Sequence, residues 1–122
     1  MNHEQRLAGK TVVVSGATSG IGWESLLALA GQGAAVIGIG RSAERCQQAE
    51  SRVRAAYPQV RAAYCLADLS SQAQVRRAAA EIRGLLAGGD FPPLAALVNN
   101  AGIYAERRAW TEDGVESTFA VN

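Results

Sequence analysis

The feature that most constrains the fold is a glycine-rich segment, SGATSGIG at 15–22, which joins a strand-like run to a helix-like run. The run before it, TVVVS, is β-branched without polar alternation, which predicts a strand covered on both faces. The run after it, at 21–30, predicts a helix that is apolar on most sides and is ended by Gly31 and Gly33. A buried strand followed by a helix is typical of a parallel α/β sheet.

The same alternation continues to residue 98. Strand patterns are found at 34–39, 60–66 and 94–98, and the intervening helices are predicted to begin after Ser42 and after Ser70 or Ser71, which are good N-caps. Apolar stripes at helical spacing comprise Cys46, Ala49, Val53 and Ala56 in one helix, ended by Pro58, and Val75, Ala78, Ile82 and Leu85 in the other, closed by Gly88 and Gly89. Right-handed crossovers then predict a Rossmann-type doubly wound parallel sheet, with helices on both faces and strand order 3-2-1-4. A ligand crevice is expected at the carboxyl ends of the first and fourth strands.

The last segment, TEDGVESTFAVN at 111–122, begins a further helical pattern, with Val115 and Phe119 on one face. No later strand pattern follows, so the fourth strand is expected to leave an apolar edge. We therefore expect residues 1–122 to be the N-terminal portion only of a truncated domain, with its later strands missing.

Composition excludes several classes of function. The formal net charge of +1 gives no electrostatic signature of nucleic-acid or anionic-membrane binding, and the polar N-terminus contains no apolar signal or anchor. Cys46 and Cys65 lack metal-ligand spacing, and His3 is the only histidine, which leaves little for a metal site or a histidine-dependent triad. Two isolated cysteines favour a reduced, cytoplasmic location.

The glycine-rich segment has the spacing G-x-x-x-G-x-G, formed by Gly16, Gly20 and Gly22. Glycines allow positive φ and let the backbone approach a pyrophosphate, while the following helix N-terminus offers free N–H groups and partial positive charge. The alternative is a tight turn that binds nothing. The segment lacks the Gly-Lys-Ser/Thr ending of an ATP or GTP phosphate loop.

Together with three other segments, this turn resembles the short-chain dehydrogenase/reductase family. It is similar to the family's T-G-x-x-x-G-I-G, with Ser15 in place of threonine, while Asp68-Leu69 follows the third strand and Asn99-Asn100-Ala101-Gly102 matches N-N-A-G. Asn122 matches the family's helix asparagine. The resemblance extends over residues 7–122. Within the family, the segment that ends in Asn122 is similar to NADP-type, retinol-dehydrogenase-like members.

The resemblance implies a role for each segment. Asp68 would contact the adenine amino group, residues 99–102 would lie along the ribose, and Asn122 would kink its helix so that a backbone carbonyl holds a water in a proton relay. The structural alternatives are a helix cap for Asp68, ordinary turn residues for Asn99 and Asn100, and a helix-surface residue for Asn122. With the end of the second strand included, the predicted cofactor-binding residues are Ser15, Gly16, Thr18, Ser19, Gly20, Ile21, Gly22, Arg41, Ser42, Asp68, Leu69, Asn99, Asn100, Ala101 and Gly102.

The end of the second strand indicates which dinucleotide binds. An NAD site places an acidic residue there, but the corresponding position is Gly40. The next residue, Arg41, can present its planar guanidinium to a 2′-phosphate, and Ser42 can add a donor. The alternative is a solvated arginine before a helix. The sequence therefore predicts NADP(H).

The residues for proton transfer are absent from these 122 residues. In the family they are a serine and Y-x-x-x-K, but none of Tyr57, Tyr64 and Tyr104 is followed by lysine four residues on, and Lys10 is the only lysine. We expect part of an oxidoreductase acting on a small-molecule carbonyl or alcohol, inactive alone and homo-oligomeric when complete. The alternatives are a non-catalytic NADP(H)-binding module and one half of a two-chain assembly. Trp23 is expected to pack in the core, while Tyr104 and Trp110 either pack on the domain or form a substrate wall.

Overall fold

The structure is a computed structural model that describes residues 6–102 and 109–122. Strands and helices alternate as predicted, and no boundary of the first seven elements moves by more than two residues. The elements are β1 (Thr11–Ser15), α1 (Gly20–Gly31), β2 (Ala35–Gly40), α2 (Ala43–Ala56), β3 (Ala62–Leu66), α3 (Gln72–Ala87), β4 (Leu94–Val98) and α4 (Ser117–Val121). Ser42 caps α2 by accepting from the Arg45 N–H, and Ser71 rather than Ser70 caps α3.

The four strands form one parallel sheet in the order β3-β2-β1-β4. This confirms the predicted topology, in which β2 and β3 are added on one side of β1 and β4 on the other. The carboxyl ends of all four strands therefore lie along one edge of the sheet, with the α1 N-terminus beside the end of β1.

Both faces of the sheet are covered. Val12, Val14 and Val36 point to the side where α1 and α2 pack, and Leu26 and Val53 from those helices join them in one buried cluster. The alternate strand residues face α3 in a second cluster that includes Val13, Ile37, Ile39, Cys65 and Ala78. Complete burial of each such side chain contributes roughly 1.5–3 kcal/mol, so the two clusters hold the helices against the sheet. This confirms a Rossmann-type doubly wound sheet.

The predicted helical stripes are covered at their centres but not at their ends. Cys46, Ala49 and Val53 are buried, whereas Ala56, the last residue of α2, is exposed. Val75 is 42% exposed because it lies in the first turn of α3, where only a shallow cavity adjoins it. Spacing alone did not show where each helix extends past the sheet.

The helix predicted from residue 111 begins only at Ser117, so that boundary was wrong. The Thr111 hydroxyl accepts the N–H groups of Asp113 and Val115, and Gly114 has a φ of +74°, which together close a turn instead of starting a helix. Asp113 ties this turn to the fold, since its carboxylate accepts the Gln72 N–H at the start of α3 at 2.7 Å.

The two edges of the sheet differ. Side chains of α2 cover the outer edge of β3, where Glu50 accepts the Tyr64 N–H at 2.9 Å and Arg54 donates to the Ala62 carbonyl at 3.1 Å. On the other edge, Leu94 and Leu97 of β4 are 49% and 55% exposed, which confirms the predicted apolar edge. None of the helices within residues 6–102 and 109–122 combines the length and apolar character needed to cross a membrane.

Candidate functional site

The glycine-rich turn has the backbone geometry that its sequence predicted. Gly16 and Gly20 have φ values of +63° and +58°, a region that residues with side chains rarely adopt. A Cβ on Gly16 would lie 2.9 Å from the Ala101 Cα, and one on Gly22 would overlap the Gly16 carbonyl oxygen. The turn is thus packed tightly on its inner side, whereas nothing packs within 4 Å of the position that a Cβ on Gly20 would take.

Buried hydrogen bonds fix this turn to the ends of β2 and β4. The Ala17 N–H donates to the Ile39 carbonyl at 3.2 Å, and the Asn100 side-chain amide donates to the Gly16 carbonyl, also at 3.2 Å. The Ser15 hydroxyl accepts the N–H groups of Asn100 and Ala101 at 3.1 and 3.0 Å. The N-N-A-G segment therefore supports the glycine-rich turn as well as bordering the same edge of the sheet.

The N-terminus of α1 is open where it follows the turn. Ser19 occupies the N-cap position but its side chain makes no capping hydrogen bond, and the first turn contains no acidic residue. The free N–H groups and the partial positive charge of the helix are therefore available to an anion.

A cleft of about 520 Å³ lies along the carboxyl ends of the strands. It gathers residues from all four sequence segments that the resemblance singled out, although these are far apart in the chain. The predicted site residues that line it are Gly16, Thr18, Ser19, Arg41, Ser42, Asp68, Leu69, Asn100, Ala101 and Gly102.

The other predicted site residues lie outside the cleft lining. Ser15 is 5% exposed and Gly22 packs against the Gly16 carbonyl, so both support the turn without facing the cleft. Gly20 and Ile21 begin α1, with the Ile21 side chain exposed, and Asn99 is also exposed. Asn122 follows α4, and its side chain lies beside Gly102 at the margin of the cleft.

Two guanidinium groups border the cleft at the end of β2. Arg41 and Arg45 are both exposed, and neither forms an ion pair with any described residue. Between them and the turn, Gly40 has no room for a side chain, since a Cβ there would lie 2.6 Å from Thr18 Cγ2 and 2.9 Å from Cys46 Sγ. The position where NAD sites carry an acid is therefore uncharged here, and a side chain added at it would have to shift Thr18 or Cys46.

Asp68 contributes a carboxylate to the opposite wall. Its Oδ1 accepts the Ser70 hydroxyl at 2.7 Å and the Ser70 N–H at 2.9 Å, and these bonds, with a smaller contribution from Arg41, hold the pKa of Asp68 below its ordinary value. A charged carboxylate with one oxygen engaged can use the other to accept a hydrogen bond from a ligand. Asp68 does not cap α3, because Ser71 does so.

Sequence reasoning missed part of the lining. Arg45 lies in the first turn of α2, three residues after the N-cap Ser42, and its place at the start of the helix that follows β2 could have identified it. Apolar and small side chains at the strand ends and in α4 carried no comparable signal. The lining residues outside the prediction are Ile39, Gly40, Arg45, Ala67, Ser70, Ser117 and Val121.

No aromatic residue in the described part of the chain lines the cleft. Trp23 is buried in the core, as predicted, with the Arg52 guanidinium 4.5 Å above its ring. Trp110 is 62% exposed, pairs with Glu116 in an isolated β-bridge and is not part of the cleft lining. Tyr104 and His3 lie outside the described residues. The described part of the chain contains no group of three His, Cys, Asp or Glu side chains that could hold a metal ion.

Comparison with known proteins identifies a single family. A family model described as short chain dehydrogenase matches residues 10–122. A polyprenol dehydrogenase from Mus musculus is 40% identical over 114 residues, which are 93% of this chain and 32% of that protein.

Solved structures share the fold. The Pseudomonas aeruginosa RhlG/NADP active-site complex matches with a TM-score of 0.71 and 37% identity, covering 84% of this chain and 38% of that one. A metagenomic short-chain oxidoreductase in complex with NADP matches with a TM-score of 0.71 and 29% identity, covering 94% of this chain and 50% of that one. The chain thus spans about a third of the length of the mouse relative and up to half of these solved chains.

Proposed function

Because the chain belongs to the short-chain dehydrogenase family, we propose that it is the N-terminal NADP(H)-binding part of an oxidoreductase. The complete enzyme would transfer a hydride between a nicotinamide and the carbon of a carbonyl or alcohol. One observation carries this proposal: a single cleft joins the glycine-rich turn and the open α1 N-terminus to the Asp68 carboxylate and to two arginines that form no ion pair within the described residues.

The residues present fit a dinucleotide with an adenosine 2′-phosphate. Gly16, Thr18 and Ser19 would hold the pyrophosphate with backbone N–H groups and the α1 dipole. Asp68 would accept from the adenine amino group with its free oxygen, and residues 100–102 would lie along the ribose. When bound, the nicotinamide supplies the hydride chemistry, and these residues supply binding and orientation.

The preference for NADP(H) over NAD(H) rests on the end of β2. Arg41, just before α2, and Arg45, in its first turn, can both contact a phosphate in the cleft, and the Ser42 hydroxyl adds a polar group beside them. Gly40 cannot be replaced by an acid without displacing Thr18 or Cys46. The NADP in the two related solved structures supports the same preference.

The substrate class follows from the family, and the mouse polyprenol dehydrogenase is consistent with alcohol or carbonyl chemistry. These 122 residues contain no Tyr-x-x-x-Lys to move the proton. We therefore propose that this polypeptide alone binds cofactor without turnover. NADPH-dependent reduction of a panel of aldehydes and ketones by this chain would contradict that part of the proposal.

The direct test of the cofactor is calorimetric titration of NADPH and NADH into the wild type and Arg41→Ala. A charge-assisted hydrogen bond contributes about 1.5–3 kcal/mol, so we expect Arg41→Ala to weaken NADPH binding roughly 10- to 150-fold. NADH binding should change little, because it carries no 2′-phosphate. Arg83→Ala, at an exposed arginine on α3, is the matched control and should bind NADPH as the wild type does.

Two results would refute the cofactor assignment. One is wild-type protein that binds NADH more tightly than NADPH. The other is an equal loss of NADPH affinity in Arg41→Ala and Arg83→Ala, which would indicate a general effect of charge.

A further inference from the structure

Tyr64 extends from β3 to the glycine-rich turn, across the strand that separates them. Tyr64 pairs with Gly38 of β2, and its ring occupies the space that a side chain on Gly38 would fill. Beyond Gly38 the Tyr64 hydroxyl donates to the Ala17 carbonyl at 2.7 Å. Gly38 is therefore the residue that allows a side chain of β3 to reach a turn that follows β1.

The backbone and the ring of Tyr64 also make contacts that hold the side chain in place. Its backbone N–H donates to Glu50 of α2 at 2.9 Å, and its ring packs against the core cluster beneath α1 and α2. Burial raises the pKa of the phenol above its ordinary value, so the hydroxyl remains a donor at neutral pH. Ala17 has no exposed surface, which shields this hydrogen bond from water.

The bond to Ala17 sets the direction of the next N–H group. A trans peptide is planar, with its C=O and N–H pointing in opposite directions. Because Tyr64 draws the Ala17 carbonyl towards the core, the Thr18 N–H of the same peptide points away from it, on the side where Thr18 lines the cleft. Among the described residues this N–H has no acceptor.

We infer that Tyr64 is a positioning residue that aims the Thr18 N–H at the pyrophosphate of the dinucleotide. The inference rests on the proposed NADP(H) function. It assigns a role in ligand binding to a side chain that lies on the far side of β2 and does not line the cleft.

The test compares Tyr64→Phe with Tyr57→Phe. Each variant removes one hydroxyl from a tyrosine that packs against the same core cluster, but the Tyr57 hydroxyl has no hydrogen-bond partner within the described residues. NADPH and adenosine 2′-monophosphate are titrated into each protein, since only NADPH carries a pyrophosphate. We expect Tyr64→Phe to weaken NADPH binding roughly 3- to 10-fold, as one hydrogen bond would, and to leave adenosine 2′-monophosphate and Tyr57→Phe unchanged.

A second readout needs no variant. In a ¹H–¹⁵N spectrum of the wild type, the Thr18 amide signal should shift on addition of NADPH and not on addition of adenosine 2′-monophosphate. A Thr18 signal that NADPH does not move would overturn the inference even if Tyr64→Phe failed to fold.

The remaining outcomes separate the two proposals. Wild-type NADPH affinity in Tyr64→Phe, or equal losses for both ligands, would overturn the role of Tyr64 and leave the cofactor assignment intact. Failure of NADPH to bind the wild type at all would refute the proposed function itself, and with it this inference.

Discussion

Replacing Ser15 by alanine should destabilise the fold by an amount that the structure allows us to work out. The Ser15 hydroxyl accepts the N–H groups of Asn100 and Ala101. Asn100 keeps a second acceptor, the Val98 carbonyl at 3.0 Å, whereas the Ala101 N–H has no other acceptor among the described residues. The variant therefore leaves one partly buried donor without its acceptor, which costs up to about 1–3 kcal/mol.

That cost is a large part of the stability of a small domain, which is typically about 5–15 kcal/mol. Urea unfolding followed by circular dichroism measures it directly. With a slope of about 1–3 kcal/mol per molar urea, a loss of about 2 kcal/mol lowers the midpoint by roughly 1 M. The slope itself should stay the same, because the variant removes a bond without changing the surface exposed on unfolding.

Ser15→Thr is the matched control, since it keeps the hydroxyl and introduces the residue found in the family's usual motif. We expect its unfolding midpoint to stay close to that of the wild type. If Ser15→Ala unfolds within about 0.5 kcal/mol of the wild type, the range of ordinary surface substitutions, then this hydroxyl does not hold the two strand ends together and the reasoning is refuted.

Two further predictions concern the turn and the cleft wall. Gly22→Ala should destabilise the protein by at least about 1–3 kcal/mol because its Cβ would overlap the Gly16 carbonyl, whereas Gly84→Ala, in open space on α3, should stabilise it by roughly 0.5–1 kcal/mol; urea unfolding in which both variants change in the same direction would contradict this. Asp68 has a lowered pKa in the folded protein, so its hydrogen bonds to Ser70 stabilise the fold above the unfolded value of about 3.9 and are lost as the pH falls through the lower folded value. Unfolding free energies measured between pH 2 and 6 should therefore fall less steeply with acid in Asp68→Asn, and an unchanged acid limb would refute this assignment.

The fold could be predicted because its signals are local and repeated. Each strand is a short apolar run, each of the first three helices has a cap or a glycine at its ends, and the handedness of crossovers then leaves few arrangements of four parallel strands. Prediction failed where a local hydrogen bond outweighed periodicity. Val115 has helical spacing from Phe119, but the Thr111 hydroxyl holds its N–H in a turn, and the helix starts only at Ser117.

The site was predicted less completely because a sequence motif does not distinguish lining residues from supporting ones. Ser15 belongs to the fingerprint as much as Gly16 does, yet its side chain faces the N-N-A-G segment and not the cleft. Arg45 belongs to no fingerprint but lines the cleft, because it lies in the first turn of α2, which begins beside the cleft. Which residues converge depends on helix phase and strand register, and these are properties of the folded chain.

The two glycines of β2 show that the role of a residue can depend on side chains that are distant in the sequence. In the strand pattern they carry no evident role beyond the missing acid at Gly40. In the fold, Gly38 leaves space for the Tyr64 ring and Gly40 for Thr18 and Cys46. The two absent side chains thus have different consequences, since one lets a β3 residue hydrogen-bond to the glycine-rich turn and the other lets Thr18 and Cys46 pack against the end of β2. An acidic side chain added at position 40 would therefore have to shift the ends of the Thr18 and Cys46 side chains as well as add a charge.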